Sequence, residues 1–511
     1  MSEVTNTAPT STSEAIIEGY NHAKTRRSNW ESLWNECYDY ALPQRNQFNG
    51  FTGSGQQKSD HLYDATAMDA VDQLAASLLG QLTPPWTQWF GLKPGQDIAE
   101  EDREELAKVL EKAAKTIQAH FDRSNFAVEM HQCFLDLVVG GTASLLFEEA
   151  APGAMSGFKF SAIPLSDIVL EQGDSGYLDV SYRRLSLTPT QLVKRYPFAE
   201  IDLDEFSNDK EELVVLESIV PDDTAYNFTA ILEKNDHTLV EVRLPRSPFI
   251  NFRWMKSPGE IYGRSPVMKA LPDIKTANKV VELILKNASI AISGIWQADD
   301  DGVLNPANIE LTPGSIIPKA VGSKGLTPLD MPARFDVSQL VLDDLRSRIR
   351  HAMLVDRLPQ IGSRQMTATE VLERSSEMSL VMGATYGRLQ SELLTPLIQR
   401  AFDILRRRGE VPDISIDGRH VEIDYRSPLA RSQSQRSVQN TLSWVTTVLG
   451  MGAEASSTVN VPQASKFIAD ALGVPSDLIR TLPEQKVDLE TLAGTIQPLA
   501  AQEGGQDVLR S

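Results

Sequence analysis

The sequence predicts an α+β protein that is mainly helical, with long amphipathic helices and a smaller set of short strands. Apolar residues recur at three- and four-residue spacing over long stretches, which is typical of helices with one buried face. Short apolar runs bounded by glycine and proline indicate strands. The 41% hydrophobic and 23% charged residues are those of a folded protein. Because 511 residues exceed a single hydrophobic core, we expect two or more domains.

Two amphipathic helices of similar length, predicted at 265–292 and 336–358, dominate the middle of the chain. The apolar face of the first comprises Ile274, Ala277, Val281, Ile284, Leu285, Ala288 and Ile292. In the second, Asp336 is a suitable N-cap and Pro359 ends the helix. Its apolar face comprises Val341, Leu345, Ile349 and Met353. This pattern fits a projecting stalk and an ordinary helix pair inside a globular core equally well.

The segment between these helices, 293–335, is rich in proline and glycine. Its short apolar runs at 315–317 and 326–329 are predicted as strands bounded by turn residues. It contains no low-complexity tract, so we expect a small folded insertion rather than a flexible linker.

A loop at 359–366 follows the second helix, and a long third helix follows the loop. Thr367 and Glu370 have the spacing of a capping box, in which each side chain accepts from an otherwise unpaired amide. The helix is predicted to reach Arg408, with Gly409 as its C-cap. Gly383, Gly387 and Pro396 lie within it, so we expect a kink or a break.

The rest of the chain reads as an α+β region before the paired helices and helices after them. A helix at 14–42 carries an aromatic stripe of Trp30, Trp34 and Tyr38, which we interpret as core. Helices at 64–82, 100–124 and 126–139 follow, the last ending at Gly140 and Gly141, then strands at 143–148, 157–163, 177–186, 212–220, 229–232, 240–244 and 249–254. A short helix at 188–196, which Thr188 can cap, lies among these strands. The predicted return strands at 411–425 precede helices at 432–448 and 462–472.

The sequence lacks the motifs of several classes of enzyme and metal-binding protein, and their absence disfavours those functions. It has neither the phosphate-binding pattern G-x-x-x-x-G-K-[ST] nor the nucleophile pattern G-x-S-x-G. The seven histidines are scattered, and Asp299–Gly302 lacks the alternating ligands of a calcium loop. We therefore expect no catalytic residue, no metal and no cofactor. A hydrolase whose site is assembled from distant residues stays open as an alternative.

Charge and hydropathy narrow the possible partners. The net charge of −20 disfavours a protein that holds nucleic acid on a basic surface, although it permits a channel through which DNA slides. The apolar runs are too short to span a bilayer, and no secretory signal is recognisable. Two cysteines, Cys37 and Cys133, provide no disulfide framework and fit a reducing compartment.

The order of these elements resembles the portal, or head-to-tail connector, proteins of short-tailed bacteriophages. The run Met366–Arg374 is similar to the segment after the tunnel loop in that family, and Glu260–Pro266 is similar to the family's approach to the first stem helix. A Pro/Trp segment like Thr83–Phe90 follows the corresponding helix in the family. The similarity extends over about 28–424.

The resemblance implies a portal fold that forms a ring oligomer. The chain then divides into the regions that are named in portal proteins, with a tail at each end. They are a disordered tail (1–13), wing (14–264), stem helix 1 (265–292), clip (293–335), stem helix 2 (336–358), tunnel loop (359–366), long helix with return strands (367–426), crown (427–493) and mobile tail (494–511).

It also implies a dodecamer at one capsid vertex of the virion, made in the host bacterial cytoplasm, that forms the channel for genome packaging and ejection. The implied partners are double-stranded DNA, the terminase large subunit, major capsid and scaffolding proteins, tail adaptor or nozzle proteins, and internal core or ejection proteins. No membrane partner is implied. Another virion ring or scaffold component, such as a head–tail adaptor, is the alternative.

Candidate DNA-contacting residues follow from their place in the resemblance. For the tunnel loop and stem they are Arg357, Gln360, Arg364 and Gln365, because phosphate contacts position a duplex without reading its sequence. Lys319, Lys324 and Arg334 are candidates for clip contacts to a motor, an adaptor or DNA. For each one, a surface salt bridge or hydrogen bond is the competing interpretation.

Overall fold

Helices make up about half of the structure, a computed structural model that describes part of the chain. The described residues are 12–45, 48, 59–85, 87–95, 97–199, 212–293, 296–298, 326–328, 335–357, 382–414, 416, 421–451 and 458–472. They form two compact units, 1–433 and 434–511. The mixture of helices and strands confirms the α+β class.

The helices, in chain order, are α1 (Thr12–Ala41), α2 (Thr66–Leu82), α3 (Glu100–Asp122), α4 (Phe126–Gly140), α5 (Pro189–Arg195), α6 (Pro266–Ser293), α7 (Phe335–Ala352), α8 (Gly383–Leu389), α9 (Thr395–Arg407), α10 (Pro428–Gly450) and α11 (Val461–Leu472). A 3₁₀ turn at Val355–Arg357 follows α7, and a π-helical turn at Gln390–Leu394 joins α8 to α9. None of the described helices combines the length and hydropathy that crossing a bilayer requires.

The strands are β1 (Phe90–Pro94), β2 (Thr142–Glu149), β3 (Phe158–Ile163), β4 (Ile168–Glu171), β5 (Val180–Leu187), β6 (Leu213–Asp222), β7 (Ala225–Leu232), β8 (His237–Leu244), β9 (Phe249–Arg253), β10 (Trp296–Ala298), β11 (Leu326–Pro328) and β12 (Val421–Tyr425). They form four sheets, ordered β4-β5-β6-β7-β8, β3-β2-β9, β1-β12 and β10-β11. All paired neighbours are antiparallel.

The five-stranded sheet is covered by a helix on each face, because alternate residues of a strand point to opposite sides. Leu216 and Ile231 share a buried cluster with Tyr20 of α1. Their sequence neighbours Val215 and Leu232 share another with α5. The predicted cap of α5 is present: Thr188 and Gln191 form a reciprocal capping box. The two helices therefore sit against opposite faces of one sheet.

The three-stranded sheet lies in the largest core, together with the aromatic stripe of α1 and the buried faces of α2, α4, α6, α7 and α9. Trp34 is fully buried, and its indole N–H donates to the Gly140 carbonyl at 3.0 Å. The interpretation of the stripe as core is confirmed for Trp34 and Tyr38, while Trp30 is partly buried against the same core. In the second compact unit, Val438 and Val459 are buried.

One predicted helix end and one predicted strand range are wrong, and one strand was missed. The helix expected to continue to Leu358 ends at Ala352, because Leu354 adopts a left-handed backbone conformation with φ of 59°. Strand β4 was not predicted, and among the described residues of 411–425 only Val421–Tyr425 form a strand. The kink or break expected in the long third helix is present as a π turn at Gln390–Leu394, between its glycines and Pro396. Its predicted start at Thr367 lies outside the described residues.

Candidate functional site

The predicted DNA-contacting residues lie largely outside what the structure describes. Arg357 ends the 3₁₀ turn after α7, and its side chain is not among those described. The other six, Gln360, Arg364, Gln365, Lys319, Lys324 and Arg334, fall in undescribed stretches. The structure does describe the helix pair that carries these stretches. We therefore treat α6, α7 and the segment leading into α6 as the candidate functional region.

The entry into α6 is built from a tight approach of two backbone segments. Gly263 and Gly141 lie so close that a Cβ atom added to Gly263 would be 2.1 Å from the Gly141 carbonyl oxygen. Gly141 caps α4 with φ of +77°, a conformation that favours glycine. The Gly263 N–H donates to the Thr142 hydroxyl at 2.8 Å. No side chain fits between these segments.

Ser265 and Pro266 start α6 immediately after this contact. The Ser265 hydroxyl accepts from the Met268 N–H at 2.9 Å and donates to the Val139 carbonyl at 2.8 Å. Pro266 is the first helical residue, where its missing N–H costs nothing. The serine thus caps one helix while it binds another, which fixes where α6 begins relative to α4.

Aromatic packing holds the same segment from the other side. Tyr262 is buried, and its hydroxyl hydrogen-bonds with the Leu170 backbone at 3.1–3.3 Å. Burial raises the pKa of Tyr262 to about 12. Its ring meets Trp34 edge-on at 4.9 Å, and Arg264 stacks over Trp30 at 4.7 Å while pairing with Glu260. Glu260, Tyr262 and Arg264 of the Glu260–Pro266 motif thus all have packing or pairing partners.

Helices α6 and α7 meet at the segment before α2. The Asn278 amide accepts from the Tyr63 N–H at 2.6 Å and donates to the His61 carbonyl at 2.9 Å. Arg346 of α7 binds the Asp64 carboxylate at 2.8 Å. Burial opposes ionisation of Asp64, but hydrogen bonds from Thr66 and Arg346 outweigh it and lower the pKa of this carboxyl group. Both helices are therefore bound to residues 61–64, and we call this set of contacts the clamp.

Beyond that clamp the burial of both helices falls, and Val280, Val281 and Ile284 of α6 are only partly buried against the core. Every described side chain of α6 after Asn278 is at least partly exposed, as are those of α7 before Leu342. Buried residues reappear in α7 at Leu345, Ile349 and Met353. The helices therefore run in opposite directions, and the apolar face predicted for α7 is correct except at its outer end, where Val341 is exposed.

The outer part of the pair exposes apolar side chains on both helices. Leu283 and Leu285 of α6 are 49% and 52% exposed, and Leu340 and Val341 of α7 are 74% and 46% exposed. At the far end of the pair, β10 and β11 form a two-stranded ribbon, in which Trp296 lies opposite Pro328. The strand predicted near 326–329 is present as β11.

Several charges on the two helices are paired within the same helix. Glu282 binds Lys279 at 2.8 Å and Lys286 at 2.6 Å, and these hydrogen bonds lower its pKa to about 2. Arg348 binds Asp344 at 2.6 Å. A surface of paired charges has few uncompensated cations for phosphate groups, so it does not favour tight binding of DNA.

One Ser–His–Glu cluster invites a catalytic interpretation, and its geometry argues against it. His120 Nε2 lies 2.7 Å from Glu410, but its Nδ1 accepts from the Gly157 N–H at 3.0 Å. The Ser156 hydroxyl donates to the backbone carbonyl of His120 rather than to the ring. A nucleophile needs a hydrogen bond to its general base, which is missing here. Among the described residues, no group of three metal-binding side chains is present.

Comparison with known proteins identifies the family. Residues 13–479 match the family described as "Bacteriophage head to tail connecting protein". The "Probable portal protein" of Bordetella phage BPP-1 is 25% identical over 527 aligned positions, which cover 96% of this chain and 92% of that protein. The "Portal protein" of Salmonella phage epsilon15 is 23% identical, covering 93% and 89%, and that of Enterobacteria phage T3 is 22% identical, covering 96% and 92%.

A chain of the solved "Virion of native gene transfer agent (GTA) particle" aligns with 86% of this chain and 99% of its own, with 10% identity and a TM-score of 0.38. The family match spans the core, the entry into α6 and both paired helices, and the relatives are similar over nearly their whole lengths. The chain therefore belongs to the bacteriophage head-to-tail connecting protein family, the portal proteins at the head–tail connection of the phage virion.

Proposed function

We propose that the chain assembles into a ring, with twelve copies as the resemblance implies, around a channel through which double-stranded DNA is packaged and later ejected. The observation that carries the proposal is the outer part of the helix pair α6–α7, which exposes leucines on both helices. A side-to-side contact between identical copies closes a ring when its rotation divides a full turn. Such a contact would bury these side chains against a neighbouring copy.

The charge pattern of the helix pair fits a sliding surface. DNA that must move cannot be held by many uncompensated cations, because each phosphate contact adds affinity through the release of counterions. The pairs made by Glu282 and by Arg348 leave little net positive charge on the described part of these helices. The net charge of −20 also disfavours tight binding of DNA.

The proposed partners follow from this role. The sequence lacks an ATP-binding P-loop, so the energy for moving DNA would come from a separate motor, the terminase large subunit. That motor, and later the tail adaptor or nozzle proteins, would dock on 293–335. Major capsid and scaffolding proteins would surround the ring, and internal core or ejection proteins would meet 427–493. The site would be one capsid vertex, reached after synthesis in the bacterial cytoplasm.

Negative-stain microscopy of the purified protein tests the proposal. We expect annular particles with a central hole, and rotational classification should return one copy number near twelve. Mass photometry of the same sample gives the particle mass independently. Monomers or open filaments at every protein and salt concentration would contradict the ring. Turnover of a substrate by monomers would support the hydrolase alternative instead.

Arg364 provides a test of the proposed DNA contact. Replacing it by glutamate should reverse a phosphate contact, so that packaged DNA per head falls by roughly tenfold while ring assembly is unchanged. Packaged DNA can be quantified in purified heads after nuclease treatment. Arg348→Glu is a suitable comparison, since this exposed arginine on α7 is already paired with Asp344. Equal packaging by the Arg364→Glu variant and the unmodified protein would remove Arg364 from the channel.

A further inference from the structure

The π turn at Gln390–Leu394 divides one helical rod into α8 and α9. A π turn inserts one extra residue into a helix, and such turns occur frequently at functional sites. Here the Thr395 hydroxyl donates to the Gln390 carbonyl at 2.8 Å and lies 2.7 Å from the Tyr425 hydroxyl. The Gln390 carbonyl also accepts from the Thr395 backbone N–H, so the hydroxyl adds a second hydrogen bond to the one that closes the π turn.

The inserted residue aligns two apolar faces that would otherwise diverge. The buried residues before the turn are Met382, Thr385, Tyr386 and Leu389, and those after it are Leu397, Ile398, Ala401, Phe402, Ile404 and Leu405. Counted at about 100° per residue, the centres of the two groups lie roughly 120° apart around an uninterrupted α-helix. One extra residue removes about 100° of this difference. The turn thus lets α8 and α9 face the same core.

The turn contains Glu392, which forms a buried ion pair with Arg253 at the end of β9. Glu392 and Arg253 are 5% and 1% exposed. The Glu392 carboxylate accepts from the Arg253 backbone N–H at 3.0 Å and from its guanidinium at 2.6 Å and 3.2 Å, and also from Arg388 at 3.2 Å. Every oxygen of the carboxylate is therefore used, which a buried charge requires.

Arg253 also holds the segment that leads into α6. Its guanidinium donates to the Ile261 carbonyl at 2.9 Å and to the Gly176 carbonyl at 3.1 Å. Its Cβ atom lies 3.0 Å from the position that a Cβ of Gly263 would take. One side chain thus contacts both the entry into α6 and the interruption between α8 and α9.

We propose that Arg253 and Glu392 are positioning residues that hold the π turn, and that the turn sets the direction from which the preceding chain enters α8. Without the turn, α8 would rotate by about 100° and shift by about 1.5 Å relative to α9. The chain ahead of α8 includes Arg364, so the consequence for DNA rests on the proposed function, whereas the geometry does not.

Distance measurements between spin labels test the positioning role. One label replaces the exposed Ala384 in α8, and the reference label replaces Lys159, which is exposed on the sheet that contains Arg253. The native Cys37 and Cys133 are buried, and burial raises the pKa of both thiols, so they should not be labelled. Labelled protein is mixed with an excess of unlabelled protein, so that each assembly carries at most one labelled copy.

The informative variant is the double substitution Arg253→Met with Glu392→Met, which removes the pair without leaving an unpaired buried charge. We expect its 384–159 distance to shift by about 5–8 Å, because α8 turns by about 100° when the turn is lost and no residue is removed. A variant that lacks Ser391 loses the extra residue together with the turn, so both faces stay aligned and its 384–159 distance should stay close to that of the unmodified protein. A label at Arg407 in α9 should keep its distance to 159. The double variant should regain most of the thermal stability that Glu392→Gln loses.

An unchanged 384–159 distance in the double variant would show that the pair only stabilises the fold and would overturn the proposal. If the variant lacking Ser391 does not fold, the double variant alone decides. In assembled rings, the double variant should package at least tenfold less DNA while forming as many particles. Failure of the unmodified protein to form rings would contradict the proposed function, but the distance test would still decide the role of the ion pair.

Discussion

Replacing Gly263 by alanine is expected to leave little folded protein. The new Cβ would sit 2.1 Å from the Gly141 carbonyl oxygen and 3.0 Å from the Arg253 Cβ, so relief requires backbone movement. Overpacking a flexible core costs about 1–3 kcal/mol, and a clash with backbone lies at or above the top of that range. The same movement would disturb the start of α6. The measurements are soluble yield and the midpoint of chemical denaturation.

Gly80→Ala is the matched control, because no heavy atom lies within 4 Å of its added Cβ and the residue is inside α2. It should be neutral or stabilising by about 0.5–1 kcal/mol, since alanine favours helix over glycine. Similar denaturation midpoints for the two variants would mean that the backbone contact at Gly263 is unimportant.

Replacing Leu285 and Leu340 together by glutamate is expected to abolish ring assembly without unfolding the subunit. Both side chains are more than half exposed in the single chain, so their loss should change the free energy of unfolding by no more than about 0.5 kcal/mol each. In a ring each leucine would contribute about 1–2 kcal/mol, because one half to three quarters of its side chain is left to bury, and a buried carboxylate would add a desolvation cost. Mass photometry should show at least a tenfold loss of rings.

Met155→Glu is the control for this pair of substitutions. Met155 is 84% exposed in the hairpin between β2 and β3, away from α6 and α7. Its replacement adds one negative charge, half of what the double variant adds, without touching the proposed contact, so rings should form normally. Normal assembly of the Leu285→Glu, Leu340→Glu variant would place the subunit contact elsewhere.

Local patterns in the sequence predicted much of the secondary structure. The caps at Thr188 and Gly409 and the helix end at Gly141 are present because hydrogen bonding and backbone conformation within a few residues determine them. The spacing of apolar residues found α6 and α7. It also placed Leu285 on the buried face of α6, which is wrong, since half of that side chain is exposed.

The candidate site was less predictable, and the missed residues left only faint signals. Arg253 is a charged residue in the apolar run of β9, and Glu392 interrupts an apolar helix; each pattern suggests a buried charge but not its partner. The two are 139 residues apart. Arg357, Gln360, Arg364, Gln365, Lys319, Lys324 and Arg334 stay predictions, because the described side chains do not include theirs.

By itself, the sequence determined the class, the long paired helices, the caps and the family resemblance, because periodicity, capping and motif order are properties of neighbouring residues. Only the tertiary structure decided that Gly263 meets Gly141, that Arg253 reaches Glu392, and that α8 and α9 are joined by a turn with one extra residue. Those contacts join distant segments, and their geometry depends on how whole helices and sheets pack. No local pattern predicts that the Gly141 carbonyl oxygen lies 2.1 Å from the position that a Cβ atom on residue 263 would take.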